Sequence, residues 1–180
     1  MTDQWPRFEV FKQDEPGQPH RNVGSVHAPD AELALLNARD VFARRPSCHS
    51  LWVVPAGAVL ARTAEELAAD GLPAYSPSGS GEPYAVFQKR SQRQAMTYVD
   101  YAGEVTAGSA AEALALALQS FADEAAVVWW VCPARLISRS EPADTAALYD
   151  PAREKRFRMP NQYRTVFTMQ KIRRQGEEEA

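Results

Sequence analysis

The sequence predicts an α+β protein of two tandem strand-strand-helix-strand units, packed as a pseudo-dimer and followed by an extended C-terminal tail. Three observations carry this reading. The first is self-similarity at a spacing of 76 to 79 residues: FEVF at 8–11 recurs as YAVF at 84–87, NVGSVHAPD at 22–30 as YAGEVTAGS at 101–109, and LWVVPA at 51–56 as WWVCPA at 129–134. The spacing changes between elements, where loops absorb insertions. The second is a capped apolar helical stripe, present once per repeat. The third is a change of charge after the second repeat: residues 1–148 carry a net −6 and residues 149–174 a net +6, with three glutamates at 177–179.

Taken in order, Phe8 and Val10 share one face of a period-2 strand, as do Tyr84 and Val86. The second strand of each repeat passes through an aligned glycine, Gly24 or Gly103, a residue that marks a bulge inside a strand. Ala31, Leu35, Ala38 and Phe42 then recur at i, i+4, i+7 and i+11, and Ala110, Leu114, Ala117 and Phe121 repeat them. Asp30 and Ser109 stand where a side-chain oxygen accepts the first free amides of a helix, and Ser109 with Glu112 reads as a capping box. The alternation in ALALAL at 113–118 mimics a strand, but its alanine content and its cap favour helix. LWVV and WWVC are apolar throughout, as in strands covered on both faces, and each runs into a proline. A short helical turn is expected after each, in AGAVLAR and ARLISR.

The units are expected at 5–62 and 83–140. Between them, 63–82 reads as a linker, a helical remnant followed by a Pro, Gly and Ser stretch. The tail, 141–180, is punctuated by prolines and mixes aromatic with basic residues. One such unit is too small to bury its apolar face alone, so the two should pack together and the isolated chain should be a monomer.

Composition bounds the function. A chain of 180 residues with 45% hydrophobic and 24% charged residues is ordinary for a soluble globular protein. No apolar run approaches the ~20 residues that cross a bilayer, and the first residues lack a signal-peptide pattern, so a cytoplasmic location is expected. In that compartment Cys48 and Cys132 read as free, small, buried thiols. The acidic body argues against nucleic acid as a partner.

His20, His27, Cys48 and His49 invite a metal or nucleophile reading. The duplication argues against it: His27 aligns with Thr106 and His49 with Val127, so the second repeat keeps the scaffold and loses the reactive groups. No carboxylate stands three residues before a histidine, as helix bundles holding di-iron require. Phosphate-binding glycine patterns and a serine elbow are also missing. No catalytic residue, cofactor or metal ligand is expected. His27 is read as a locally hydrogen-bonded strand end, His49 as a loop cap, and Trp5, Trp52, Trp129 and Trp130 as core or interface.

The segments WPRFEVFKQ, HRNVGSVHAPDAELALLNARDVFARR and LWVV, with the closing LYDPAREKRFRMPNQYRTV, resemble the B-subunit family of phenylacetyl-CoA 1,2-epoxidases, the phenylacetic acid degradation protein B (PaaB) family. Its members open on a WP-x-YEVF-like strand, carry H-x-x-x-GS-x-HA before an NARD helix, and close on D-P-x-x-x-K-x-x-R-x-P-x-x-Y. Members are usually single-copy, so this chain reads as a tandem form. The resemblance implies a non-catalytic bridging subunit, without cofactor of its own, in a multicomponent oxygenase. Other subunits would carry the di-iron centre and its helical support, and a reductase would deliver electrons. Tyr149, Asp150, Pro151, Lys155, Phe157, Arg158, Pro160 and Tyr163 match the closing pattern and are the expected partner contacts: prolines stiffen the backbone, Phe157 and Tyr163 suit buried anchors, and Arg158 suits carboxylates. The competing class is a small-molecule-binding or regulatory module, since paired α+β repeats bind ligands between them.

Overall fold

A computed structural model describes residues 4–43, 48–77, 79–90, 98–123, 125–153 and 165–178. In the first repeat β1 (Arg7–Gln13) and β2 (Arg21–His27) form an antiparallel hairpin, α1 (Ala31–Phe42) crosses one face, and β3 (Ser50–Pro55) returns to pair with β1. A 3-10 turn leads to β4 (Leu60–Thr63) and α2 (Ala64–Asp70). The second repeat follows the same course through β5 (Glu82–Lys89), β6 (Asp100–Ala107), α3 (Ala110–Ser120) and β7 (Val128–Pro133), then a 3-10 turn and β8 (Ser138–Arg139). Two helices end the chain, α4 (Thr145–Arg153) and α5 (Thr165–Glu178).

Among the described residues eight strands form one sheet, in the order β4-β7-β5-β6-β2-β1-β3-β8. This order contains a reciprocal exchange. β4, the trailing strand of the first repeat, pairs with β7, Leu60 opposite Val131 and Thr63 opposite Val128, whereas β8, the trailing strand of the second, pairs with β3 through Trp52 and Arg139. The helices after them follow: Leu67 of α2 packs on the second core, and Leu148 and Tyr149 of α4 pack on the first. Residues 60–70 therefore sit in space with the second unit, although the sequence divides them between first unit and linker. The two halves meet along β2 and β6 at Arg21 and Asp100, where the Tyr101 amide donates to the His20 carbonyl and the Asn22 amide to that of Val99, each at 2.8 Å.

Period-2 alternation accounts for the continuously apolar third strands. Leu51 and Val53 face the α1 core, whereas Trp52 and Val54 face a middle core shared by both halves. Trp129 and Val131 face α3, and Val128, Trp130 and Cys132 face the middle. At the centre of that middle layer Phe11 stacks on Phe87, the same position of the other repeat, with ring centroids 4.2 Å apart and both side chains 1% exposed.

The aligned glycines do mark bulges: the register with the neighbouring strand shifts between Val10 and Phe11 and again between Val86 and Phe87. Gly24 has φ +131° and Gly103 φ +156°, in the region that disfavours a Cβ. Each also makes room for the phenylalanine at the end of the following helix, since an added Cβ would lie 3.1 Å from Phe42 Cζ or 2.6 Å from Phe121 Cζ. The helices cap as expected, Asp30 accepting from the Leu33 amide at 2.8 Å and Ser109 from that of Glu112 at 3.2 Å. The carboxylate of Glu112 reaches one residue further back, to the Gly108 amide. A complete capping box forms instead at α2, between Thr63 and Glu66.

The tail departs from the extended course expected of it, because both of its described segments are helical. Ala146, Ala147 and Leu148 are helix formers, and Leu148 and Tyr149 gain burial against the first core, which offsets the one backbone hydrogen bond that Pro151 removes two residues before the end of α4.

Candidate partner interface

Of the eight tail residues singled out by sequence, the structure describes three. Tyr149 is 3% exposed and belongs to the core beneath α1 with Phe8, Val10, Leu51 and Cys48, so its ring is spent on the fold and not offered to a partner. Burial pushes its phenol up to about 12, and the hydroxyl lies near Ser140 and Cys48 without a well-formed hydrogen bond to any described residue. Asp150 and Pro151 are exposed on the same helix. Lys155, Phe157, Arg158, Pro160 and Tyr163 lie outside the described residues.

The residues that raised the question of chemistry are engaged locally. His20, 7% exposed, stacks on Trp52 with ring centroids 3.6 Å apart, and its Nε2 lies 3.1 Å from Ser50 Oγ. Burial, then the nearby Arg139 and His49, lower its pKa to about 4, so it is neutral at pH 7. His27 Nδ1 donates to the Trp5 carbonyl at 2.8 Å, in keeping with a strand-end role. His49 contributes its backbone, the amide to the Gln13 carbonyl and the carbonyl to Thr145 Oγ1. Both cysteines are buried and free, and burial pushes Cys48 up to about 11 and Cys132 up to about 12, away from the thiolate a nucleophile needs. Among the described residues no three His, Cys, Asp or Glu side chains converge as a metal site, and no helix is long and apolar enough to cross a membrane.

Sequence reasoning missed the polar and aromatic seam where the halves meet. Trp52 packs edge-on to Tyr101, Arg139 lies over the Trp52 ring at 4.9 Å and approaches Glu104 at 3.8 Å, and Tyr98 packs on Trp130. The repeat held part of the signal: Trp52 and Trp130 are equivalent, and each is covered by a ring from just before the second strand of its own repeat, His20 and Tyr98, which the alignment sets one position apart. Of the four tryptophans, Trp129 is core, Trp52 and Trp130 line the seam, and Trp5 is exposed.

The seam sets a pH dependence. His20 binds its proton near pH 4 when folded and near 6.5 when unfolded, so between these values the unfolded chain holds more protons and stability rises with pH. Acidifying from pH 7 to pH 5 should cost on the order of 1 kcal/mol through this residue, after allowance for solvent screening. His20→Phe, which keeps the stack, should flatten that part of the urea-midpoint profile.

Fold and placement together define a duplicated α+β protein whose reactive side chains, where described, are taken up by packing. The sequence model of the family "Phenylacetic acid degradation B" matches residues 4–74 and 82–170, one segment on each repeat. The chain belongs to that family, in a duplicated form. The B-subunit of the 1,2-phenylacetyl-CoA epoxidase of Escherichia coli (strain K12) is 48% identical over 62 residues, which are 34% of this chain and 65% of that protein, just under two thirds of its length. No solved structure matches the chain.

Proposed function

We propose that the chain is a non-catalytic bridging subunit of a multicomponent di-iron phenylacetyl-CoA epoxidase in aerobic phenylacetate degradation, binding its catalytic and structural subunits and contributing no cofactor. The single observation that carries this reading is the family match on both repeats, including the tail motif. The placement of His20, His27, Cys48 and Cys132 supports it, because each is neutral, buried or hydrogen-bonded within the scaffold. Fusion of the repeats does here what pairing would do for a single-copy relative, and the reciprocal strand exchange makes a monomeric chain self-sufficient.

The partner contacts are assigned to the part of the tail beyond Tyr149: Asp150, Pro151, Lys155, Phe157, Arg158, Pro160 and Tyr163. Tagged chain from cells grown on phenylacetate should bring down the epoxidase's catalytic subunit in fixed ratio. Phe157→Ala should weaken that capture by about 2 kcal/mol, roughly thirtyfold, as for an interface anchor. Capture unaffected by Phe157→Ala together with Arg158→Ala would move the docking surface to the sheet.

A further inference from the structure

A groove of about 400 Å³ opens between α1, β8 and α4 on the first half. Its walls carry the apolar Leu35, Leu36 and Leu148 and the acidic Glu32, Glu141 and Asp144. Two arginines also line it, but both are engaged: Arg39 holds Asp40 at 2.6 Å, and Arg139 lies over Trp52 and beside Glu104. The three acidic groups make no ion pair among the described residues, so the groove is apolar with a negative rim. Leu36 is 41% exposed, whereas Ala115, its equivalent on α3, is 2% exposed. The surface that is closed on the second half is open on the first.

At the other end of the chain α5 has the opposite character. Its 14 residues are about the length at which an isolated helix is marginal in water, and it carries Gly176 in its last turn. Phe167, Met169 and Ile172 are 63% to 70% exposed. Phe167, Lys171 and Arg174 fall at i, i+4 and i+7 and so form one stripe, an apolar anchor followed by two cations that make no ion pair among the described residues. That stripe matches the groove in kind: an aromatic ring for the leucines, two positive charges for the acidic rim.

We propose that the groove seats α5 of the same chain, the Phe167-Lys171-Arg174 stripe facing Leu36, Leu148, Glu141 and Asp144. The tether favours the chain's own helix over that of a second copy. Eleven residues separate α4, which forms one wall of the groove, from α5, and a segment of that length reaches up to roughly 40 Å, about twice the length of the helix. A helix so tethered is present at an effective concentration near the millimolar range. The contact is a latch: it is open in the structure, where Phe167 is 70% exposed, and it closes when the stripe seats in the groove, so anything that binds α5 holds it open. The inference does not rest on the epoxidase reading and needs no partner for its test.

Hydrogen exchange on the full-length chain, with sedimentation velocity on the same samples, tests it. In wild-type monomer the α5 amides should exchange at least tenfold more slowly than an unstructured peptide of that sequence. Glu141→Lys with Asp144→Lys, both at exposed positions, should abolish this protection while leaving the strands protected, and adding Lys171→Glu with Arg174→Glu should restore it. Unprotected α5 in the wild type, protection indifferent to the charge reversal, or protection seen only where the chain dimerises would each overturn the proposal, the last by assigning the groove to a second copy.

Discussion

Phe87→Ala is expected to lower the unfolding free energy by about 3–5 kcal/mol, and Phe11→Ala by a similar amount. Each ring is fully buried and occupies the centre of the layer between the halves, so truncation leaves a void that the two halves of the sheet cannot close without both moving. A domain of this size has about 5–15 kcal/mol in hand, so either change removes a large share. Because the rings stack on each other, the double variant should cost less than the sum of the singles by about 1 kcal/mol. Urea unfolding followed by tryptophan fluorescence would measure all three. A single cooperative transition is expected throughout, since strand exchange ties each half to the other; separate transitions would mean that the repeats fold as independent domains.

Tyr149→Ala is expected to cost about 3 kcal/mol, although the residue belongs to the family's closing motif and its neighbours Asp150 and Pro151 are exposed. The ring closes the core beneath α1, so its loss leaves a cavity bounded by Phe8, Leu51 and Cys48. Tyr149→Phe separates packing from hydrogen bonding. With no well-formed bond to the hydroxyl among the described residues, the phenylalanine variant should stay within about 0.5 kcal/mol of wild type. Because the ring belongs to the fold, deleting residues 148–180 should lower the melting temperature by many degrees, where a free arm would leave it unchanged. A deletion that spares α4 is the cleaner way to remove partner contacts alone.

What the sequence disclosed and what it hid divide along physical lines. The hairpins, the capped helices and the central third strands were legible because each rests on a local pattern: alternation at Phe8 and Val10, a stripe through Ala31 and Phe42, an oxygen at Asp30. Gly24 and Gly103 were legible as bulges because the duplication aligned them. The exchange of β4 and β8 was not, because strands of four and two residues are too short to show a period, and pairing partners more than 60 residues away leave no local mark. The helix at Tyr149 was hidden by Pro151, read as stiffening an extended backbone; it costs α4 one intrahelical hydrogen bond near its end, and the burial of Leu148 and Tyr149, which no local pattern shows, offsets that. His20 looked like a ligand because burial against Trp52, which makes it neutral, is a tertiary property.

The central claim is that this chain assembles an epoxidase without performing its chemistry. Phenylacetyl-CoA-dependent oxygen consumption, measured with purified catalytic and structural subunits and reductase, with and without this chain, tests it most directly. Turnover should fall at least tenfold when the chain is left out, be restored by one equivalent, survive His27→Ala with Cys48→Ala once folding is verified, and be absent from the chain alone. Turnover equally fast without the chain, or lost through the His27 and Cys48 substitutions in a folded protein, would contradict the account.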